Sequence, residues 1–386
     1  MTTSATRVTI LSTADYDAKL WTNKQHLASR LADRGYHVTY IDSLGLRRPT
    51  VSIADLRRIL SRLRRGKPDT SANNTNRSNI RVYHPKVIPL HGWRFVRFLN
   101  RKILARQLAS VSGDVLWSFS PITYDLEQQH RYFVYHSVDL LHTLPGVPGE
   151  TLKSEEIKTA QRAHVSIASS ATIATHLREI TKYVLQWENV GDVEIFSRHL
   201  DRTRDVPVVF CGNLTSTKIN RKLIERICDA GIPVVIAGPT GIDGDPHADE
   251  IEEFLKHPKI RHVGVLSQQD MADLCQRARV GLVPYLLNDY TAGVFPLKVY
   301  EYLAAGLHVV ATSLPSLASI DNPFVVIADG DDYVEQAIKL SRIDPEPALA
   351  EQISRTADGH SWSSRLDQVE ALISDLVHDR RVEIES

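Results

Sequence analysis

Apolar positions along the first forty residues follow two different periods. Residues 7–12 (RVTILS) form a short run of the kind buried on both faces of a parallel sheet. Leu20, Leu27 and Leu31, with the small Ala28 and Ala32, then recur at helical spacing up to Gly35, and residues 37–41 return to the strand pattern. Strand, helix, strand is a βαβ unit, which predicts a parallel sheet with ligands at the carboxyl ends of its strands. Further strands are predicted over 114–120, 131–137 and 165–168, and the pattern restarts over 206–210, 233–237, 261–266, 280–284, 308–311 and 324–327. The expectation is an α/β chain of two doubly wound Rossmann-like domains, 1–192 and 193–360, facing a cleft and divided at the bend 187–191. A terminal helix within 361–386, capped by Ser361-Trp362-Ser363, is expected to pack back towards the first domain.

Composition adds bounds. A chain of 386 residues is too long for one ordinary core, and the length prior favours two domains of about 150 to 200 residues. The amino terminus turns polar too soon for a signal peptide, and no apolar run approaches the roughly 18 residues of a membrane span, so a cytoplasmic protein is expected. Cys211, Cys228 and Cys275 lack CxxC spacing and are expected to be small core residues, with no disulfide framework or zinc site.

The balanced net charge hides a division, because Lys and Arg exceed Asp and Glu by roughly eleven in residues 1–200 and the remainder carries the opposite excess. The basic excess concentrates between Arg47 and Arg106. There Ile53, Leu56, Ile59, Leu60 and Leu63 form one apolar stripe, and Trp93, Phe95, Phe98, Leu99 and Ile103 a second, both interleaved with arginines. Such helices suit an anionic membrane surface, the alternative being stripes that face the core beneath solvated arginines; nucleic acid is not an expected partner. The polar stretch 67–79 is expected to be a loop.

The strongest candidate chemistry lies in 291–312 (TAGVFPLKVYEYLAAGLHVVAT), which reads as loop, helix, strand. Pro296 suits the first turn of the helix and Gly306 the residue past its end. Lys298 and Glu301 share one helical face, so a lysine able to pair a diphosphate stands beside a carboxylate able to accept from two ribose hydroxyls. The plain alternative is a surface ion pair. In the first half, the loop after the first strand offers Asp15, Tyr16 and Asp17, then Trp21, Asn23, Lys24 and His26, but no GxGxxG, which disfavours a nicotinamide cofactor. Asp15 and Asp17 have a DxD form that can hold a metal or serve as ordinary loop carboxylates, and Asp243-Gly244-Asp245 reads as a turn. His136 and Asp139, at the end of another strand, can move a proton from an acceptor hydroxyl, or can be a core histidine and a turn cap.

Taken together, these residues resemble the group 1 class of GT-B glycosyltransferases. FPLKVYEYLAAGLHVVAT resembles that family's donor-binding helix, and residues 212–218 (GNLTSTK) its diphosphate loop, which implies roles for Gly212 and Lys218. Residues 263–267 resemble the segment bordering the nucleobase, with Leu266 the implied contact, and HSWSSR a common carboxyl-terminal motif. WTNKQHLASRL, YHSVDLLHTLPG and ASSATIATHL are similar to bacterial members that make surface polysaccharides, of the xanthan glucuronosyltransferase and teichuronic-acid transferase types. Three positions depart from the family: Gly293 stands where many members carry a first glutamate, Asn213 where an arginine is usual, and Phe119 where a strand often ends in histidine. The resemblance therefore implies inverting transfer from a nucleotide-sugar, UDP-sugar first, to a glycan or polyprenyl-linked acceptor. Asp139 is the implied base, Lys218, Lys298 and Glu301 hold the donor, and neither metal nor other cofactor is required. The rival readings are a nucleotide-sugar epimerase, which needs no acceptor, and a basic membrane or nucleic-acid adaptor.

Overall fold

The computed structural model describes residues 6–18, 21–46, 79–144, 146–240, 248–343 and 346–378. The first basic stripe, around 53–63, most of the polar stretch after it, and Asp243 and Asp245 lie outside those residues. The chain divides into two compact units, one of residues 1–188 with 366–386 and the other of 189–365.

The first unit is built on seven parallel strands: β1 (Arg7–Leu11), β2 (His37–Ile41), β3 (Ile80–Tyr83), β4 (Gly113–Ser118), β5 (His130–Ser137), β6 (Val165–Ala168) and β7 (Val184–Gln186). Their order in the sheet is β3-β2-β1-β4-β5-β6-β7. The second unit holds β8 (Val206–Cys211), β9 (Val234–Ala237), β10 (Ile260–His262), β11 (Ala278–Val283), β12 (His308–Ala311) and β13 (Val325–Ile327), in the order β10-β9-β8-β11-β12-β13. Central strands such as β8 and β9 are Val- and Ile-rich because helices cover both faces, so no polar side is exposed to alternate with the apolar one. In each sheet the strand order reverses beside its first strand, between β1 and β4 and between β8 and β11. At such a point the connections leave in opposite directions and open a crevice at the strands' carboxyl ends.

Strands β3 and β7 are additional to the predicted set; each is short and lies at a sheet edge, where partial exposure breaks the apolar run that marks a central strand. The terminal helix begins at Trp362, where Ser361 Oγ accepts from the Ser364 N–H (3.1 Å). From Leu366 onward it groups with the first unit, where Arg34, just past the first helix, pairs with Glu370 (2.7 Å) and Asp367 (3.3 Å).

The helix Arg94–Gln107 bears on the two readings of the predicted apolar stripe, and it removes the one in which the aromatic rings face the core. Its buried line is Val96, Asn100 and Leu104, whereas Trp93, Phe95 and Phe98 are 66%, 69% and 49% exposed. Asn100 decides the orientation, because its carboxamide clamps Ile88, accepting from the N–H (2.9 Å) and donating to the carbonyl (2.9 Å). A buried polar group with both its partners in place fixes a helix face as firmly as an apolar one. Among the described residues no helix is long and apolar enough to cross a membrane.

Candidate active site

In the second unit the loop after β8 starts at Gly212, which lies against Gly238 at the end of β9. Gly238 has φ +140°, and a Cβ there would fall 2.0 Å from the Gly212 carbonyl oxygen, so only glycine permits this approach. The Gly212 N–H donates to the Ala237 carbonyl (2.8 Å) and the Gly238 N–H to that of Gly264 (2.8 Å), tying together the carboxyl ends of β8, β9 and β10. Asn213, next in the loop, has a buried Oδ1 without a hydrogen-bond partner among the described residues. Lys218 is half-buried, with its Nζ 4.6 Å from the centroid of the Tyr285 ring, and its carbonyl accepts from the Leu286 N–H (2.8 Å) after β11. Strand β10 ends at His262, earlier than predicted, which leaves Leu266 in the following loop, half-buried against the core.

The helix Lys298–Ala304 starts two residues after Pro296, whose carbonyl accepts from the Val299 N–H (3.0 Å). It ends at Gly306, which has φ +75°; the Gly306 N–H donates to Leu303 (2.8 Å) and the Leu307 N–H to Tyr302 (3.0 Å). Glu301 is 5% exposed, and Lys298 Nζ donates to its Oε2 at 2.5 Å. Burial alone would lower the Lys298 pKa, but the Glu301 carboxylate outweighs it, so the ammonium titrates above its ordinary range. Room for Glu301 depends on Gly191, where a Cβ would stand 2.9 Å from the Glu301 Cγ. The pair is therefore mounted in the fold and is not a surface ion pair. Gly293, past the short helix Asp289–Ala292, has φ −87°, a value any residue adopts, so the backbone does not demand glycine there.

In the first unit, His136 near the end of β5 is 8% exposed. Its Nδ1 accepts from Trp117 Nε1 (3.3 Å), and its ring stacks on Phe119, 4.8 Å between centroids. Asp139, half-buried, follows β5 at the sheet's carboxyl edge. Lys24 completes the group: it is 8% exposed, with Nζ 5.6 Å from the Phe119 centroid. Burial lowers the Lys24 pKa while the Asp139 charge raises it, so the two groups feel each other. The fold thus gathers Lys24, Phe119, His136 and Asp139 from three separate segments. Lys24 was legible only as a lysine in register with Leu27, Ala28 and Leu31 on the buried face of its helix.

The loop of Asp15 and Asp17 is tied elsewhere. The Tyr16 N–H donates to buried Asp42 Oδ1 (2.8 Å), whose Oδ2 lies 2.5 Å from His84 Nδ1, while Asp17 is exposed. Among the described residues no group of three or more His, Cys, Asp or Glu side chains could hold a metal ion. The three cysteines are free and buried. A further cluster centres on buried Glu156, which accepts from Tyr135 OH (2.7 Å) and Ser137 Oγ (3.3 Å) and lies 3.1 Å from His176 Nε2. Burial pushes the Glu156 pKa up, yet His176 and Tyr135 together bring it below the ordinary carboxylate value; the bond to Glu156 raises that of His176.

Residues 206–355 match the model of the family described as glycosyl transferases group 1. The chain is 25% identical over 238 residues to the putative teichuronic acid biosynthesis glycosyltransferase TuaH of Bacillus subtilis (strain 168), across 57% of this chain and 59% of that relative. It thus spans a little over half the length of that relative. Among solved structures, the sucrose-phosphate synthase of Thermosynechococcus elongatus superposes with a TM-score of 0.71 at 15% identity, covering 97% of this chain and 100% of the other. Anabaena HepE in complex with UDP and glucose does so with a TM-score of 0.66 at 12% identity, covering 96% and 100%. At those identities the likeness concerns fold, and the fold is GT-B.

Proposed function

We propose that the chain, whose residues 206–355 match the group 1 glycosyl transferase model, moves a sugar from a nucleotide-sugar, UDP-sugar in the first place, to a hydroxyl of a glycan or lipid-linked glycan in cell-surface polysaccharide synthesis. The observation that carries this is the buried Lys298–Glu301 pair at 2.5 Å, set in the same unit as the glycine-gated loop that leads to Lys218. Glu301 accepts from the ribose hydroxyls, and Lys298 and Lys218 meet the diphosphate. The partnerless Asn213 Oδ1 is one more acceptor for a donor hydroxyl.

Asp139 takes the proton of the acceptor hydroxyl as that oxygen attacks the anomeric carbon from the face opposite the nucleotide. The leaving diphosphate carries away the bonding pair, and Lys218 and Lys298 stabilise its developing charge. Lys24, whose own pKa the Asp139 charge raises against the larger effect of burial, stands beside that base as a positioning group. With the leaving group met by two lysines, transfer proceeds without a divalent metal, and activity is expected to persist in excess chelator; loss that only added magnesium or manganese restores would reverse that part. Asp139→Asn should reduce turnover by about 10²- to 10⁴-fold while leaving UDP affinity unchanged. Full activity in that variant removes Asp139 from the chemistry.

The exposed Trp93, Phe95 and Phe98 stand on a helix whose only charged residues are Arg94, Arg97, Arg101, Lys102 and Arg106. Aromatic rings flanked by cations suit an anionic bilayer surface and support a reading in which the enzyme works peripherally on the inner face of the cell membrane. This agrees with a lipid-linked acceptor.

A further inference from the structure

Asp139 stands in a segment that is held from both sides. Ser169, fully buried after β6, takes the two residues before it: the Ser169 N–H donates to the Ser137 carbonyl (3.1 Å) and its Oγ to the Val138 carbonyl (3.0 Å). The Leu141 N–H returns to the Asp139 carbonyl (2.8 Å), and Thr143 Oγ1 donates to the Leu140 carbonyl (2.7 Å), closing a turn. One side chain spans the segment. Glu156, 4% exposed, lies on the helix Gly149–Arg162; its Oε1 accepts from Ser137 Oγ at the end of β5, and its Oε2 lies 3.7 Å from His142 Nδ1 in the turn. The helix itself comes up against that turn, because a Cβ on Gly149 would stand 2.7 Å from the His142 carbonyl oxygen.

A buried carboxylate is a costly way to secure a hydroxyl, since a neutral amide would accept from Tyr135 and Ser137 as well. Buried ionic groups add little net stability, and their best-attested use is to select one arrangement of the groups around them. Here those groups are the two ends of the segment that carries Asp139. We propose that Glu156 is a positioning residue for the transfer step, holding the end of β5 and the turn after it to one carboxylate so that Asp139 meets the acceptor hydroxyl from a fixed point. It rests on the reading of Asp139 as the base and adds what aims that base. The charge of Glu156 is matched by His176 Nε2 at 3.1 Å, from the helix Ala171–Arg178. The other groups that face the pair are Tyr135 from β5, His142 from the turn and, through charge, Glu150, Lys153 and Glu179. The bond to Glu156 raises the His176 pKa above 6.5, so the imidazolium is complete at low pH and is lost as pH climbs through that higher value. The buried carboxylate is then left without its cation, and turnover weakens on the alkaline side.

The test is a double-mutant cycle on the full chain, read as UDP release from UDP-glucose, UDP-galactose, UDP-N-acetylglucosamine and UDP-glucuronate with octyl β-glucoside or water as the acceptor. Glu156→Gln keeps an acceptor for both hydroxyls and deletes the charge. It should lower kcat roughly ten- to hundredfold in the parent at unchanged donor KM, and by less than about twofold in Asp139→Asn, where nothing is left to aim. A purely structural role would cost the same in both backgrounds. The parent's kcat should also fall as pH rises above the ordinary imidazole value of 6.5, and that fall should vanish in Glu156→Gln and in His176→Gln. Ser137→Ala, which removes one hydroxyl and leaves the ion pair in place, should cost roughly three- to tenfold and serves if Glu156→Gln melts early. Equal losses in both backgrounds, full activity in Glu156→Gln, or a pH profile that neither variant changes would each overturn the proposal. Full activity in Asp139→Asn would instead overturn the base reading beneath it. If the parent releases no UDP, hydrogen exchange decides: the amides of 138–143 should exchange roughly tenfold faster in Glu156→Gln, and equal protection overturns the positioning role.

Discussion

At Lys298 and Glu301 the charge pair and its burial act together. Removing the carboxylate leaves an ammonium in a site it occupies only because Glu301 raises its pKa against the pull of burial. Glu301→Gln is therefore expected to lower thermal stability as well as UDP affinity, the latter roughly ten- to hundredfold, since it deletes a charged acceptor. This pair was legible in the sequence because both residues lie on one helix at a spacing that fixes a shared face. The group of Lys24, Phe119, His136 and Asp139 was only half legible. Asp139 and His136 follow a recognisable strand, but Lys24 reaches them only through the packing of a different helix. His176 was not legible at all, and its pairing with Glu156 has a pH consequence. Its pKa is raised in the fold, so its contribution is complete below the unfolded value near 6.5 and is lost as pH climbs through the higher folded value. Chemical denaturation of the parent and of His176→Gln at pH 6 and pH 8 should show the parent losing stability relative to the variant at the higher pH; parallel behaviour would remove this coupling.

Loops and helices follow the same division between local and distant causes. The helix Lys298–Ala304 is bounded by signals in its own sequence, Pro296 before it and Gly306 after it, and its limits fall within two residues of those expected. The helix Arg94–Gln107 was expected either to offer its aromatic stripe to an anionic membrane surface or to turn it to the core; Phe95 and Phe98 stay exposed, because Asn100 is satisfied by the backbone of Ile88. Nothing in the local sequence announces that bond. Short edge strands β3 and β7 escaped notice for a related reason, as their pairing partners supply the order that their own sequence does not. At the loop after β8 the decisive contact is between two glycines far apart in the chain. Gly238→Ala should cost about 2–4 kcal/mol, from a strained φ together with a clash on the Gly212 carbonyl. Urea unfolding measures this, and a loss under about 0.5 kcal/mol, the scatter of surface substitutions, would show that the loop yields easily.

Across the whole molecule, the strand pattern was enough to expect two parallel α/β sheets, because each unit repeats βαβ connections whose apolar runs are continuous. The excess of basic residues in the first half gains a definite surface from the exposed rings of Trp93, Phe95 and Phe98. Co-sedimentation with vesicles containing phosphatidylglycerol should exceed that with phosphatidylcholine alone and weaken in high salt. The double variant Phe95→Ser/Phe98→Ser should release the protein from the anionic vesicles without altering UDP affinity. Equal recovery on both vesicle types at every salt concentration would remove the membrane from the proposal.

The assignment of the second unit to donor binding is tested most directly by calorimetric titration of UDP, GDP and dTDP into the parent protein and Glu301→Gln. Saturable binding of UDP to the parent, tighter than GDP or dTDP and roughly ten- to hundredfold weaker in the variant, is the predicted result. Equal affinity of both proteins for every nucleotide, or no binding to the parent, would contradict it.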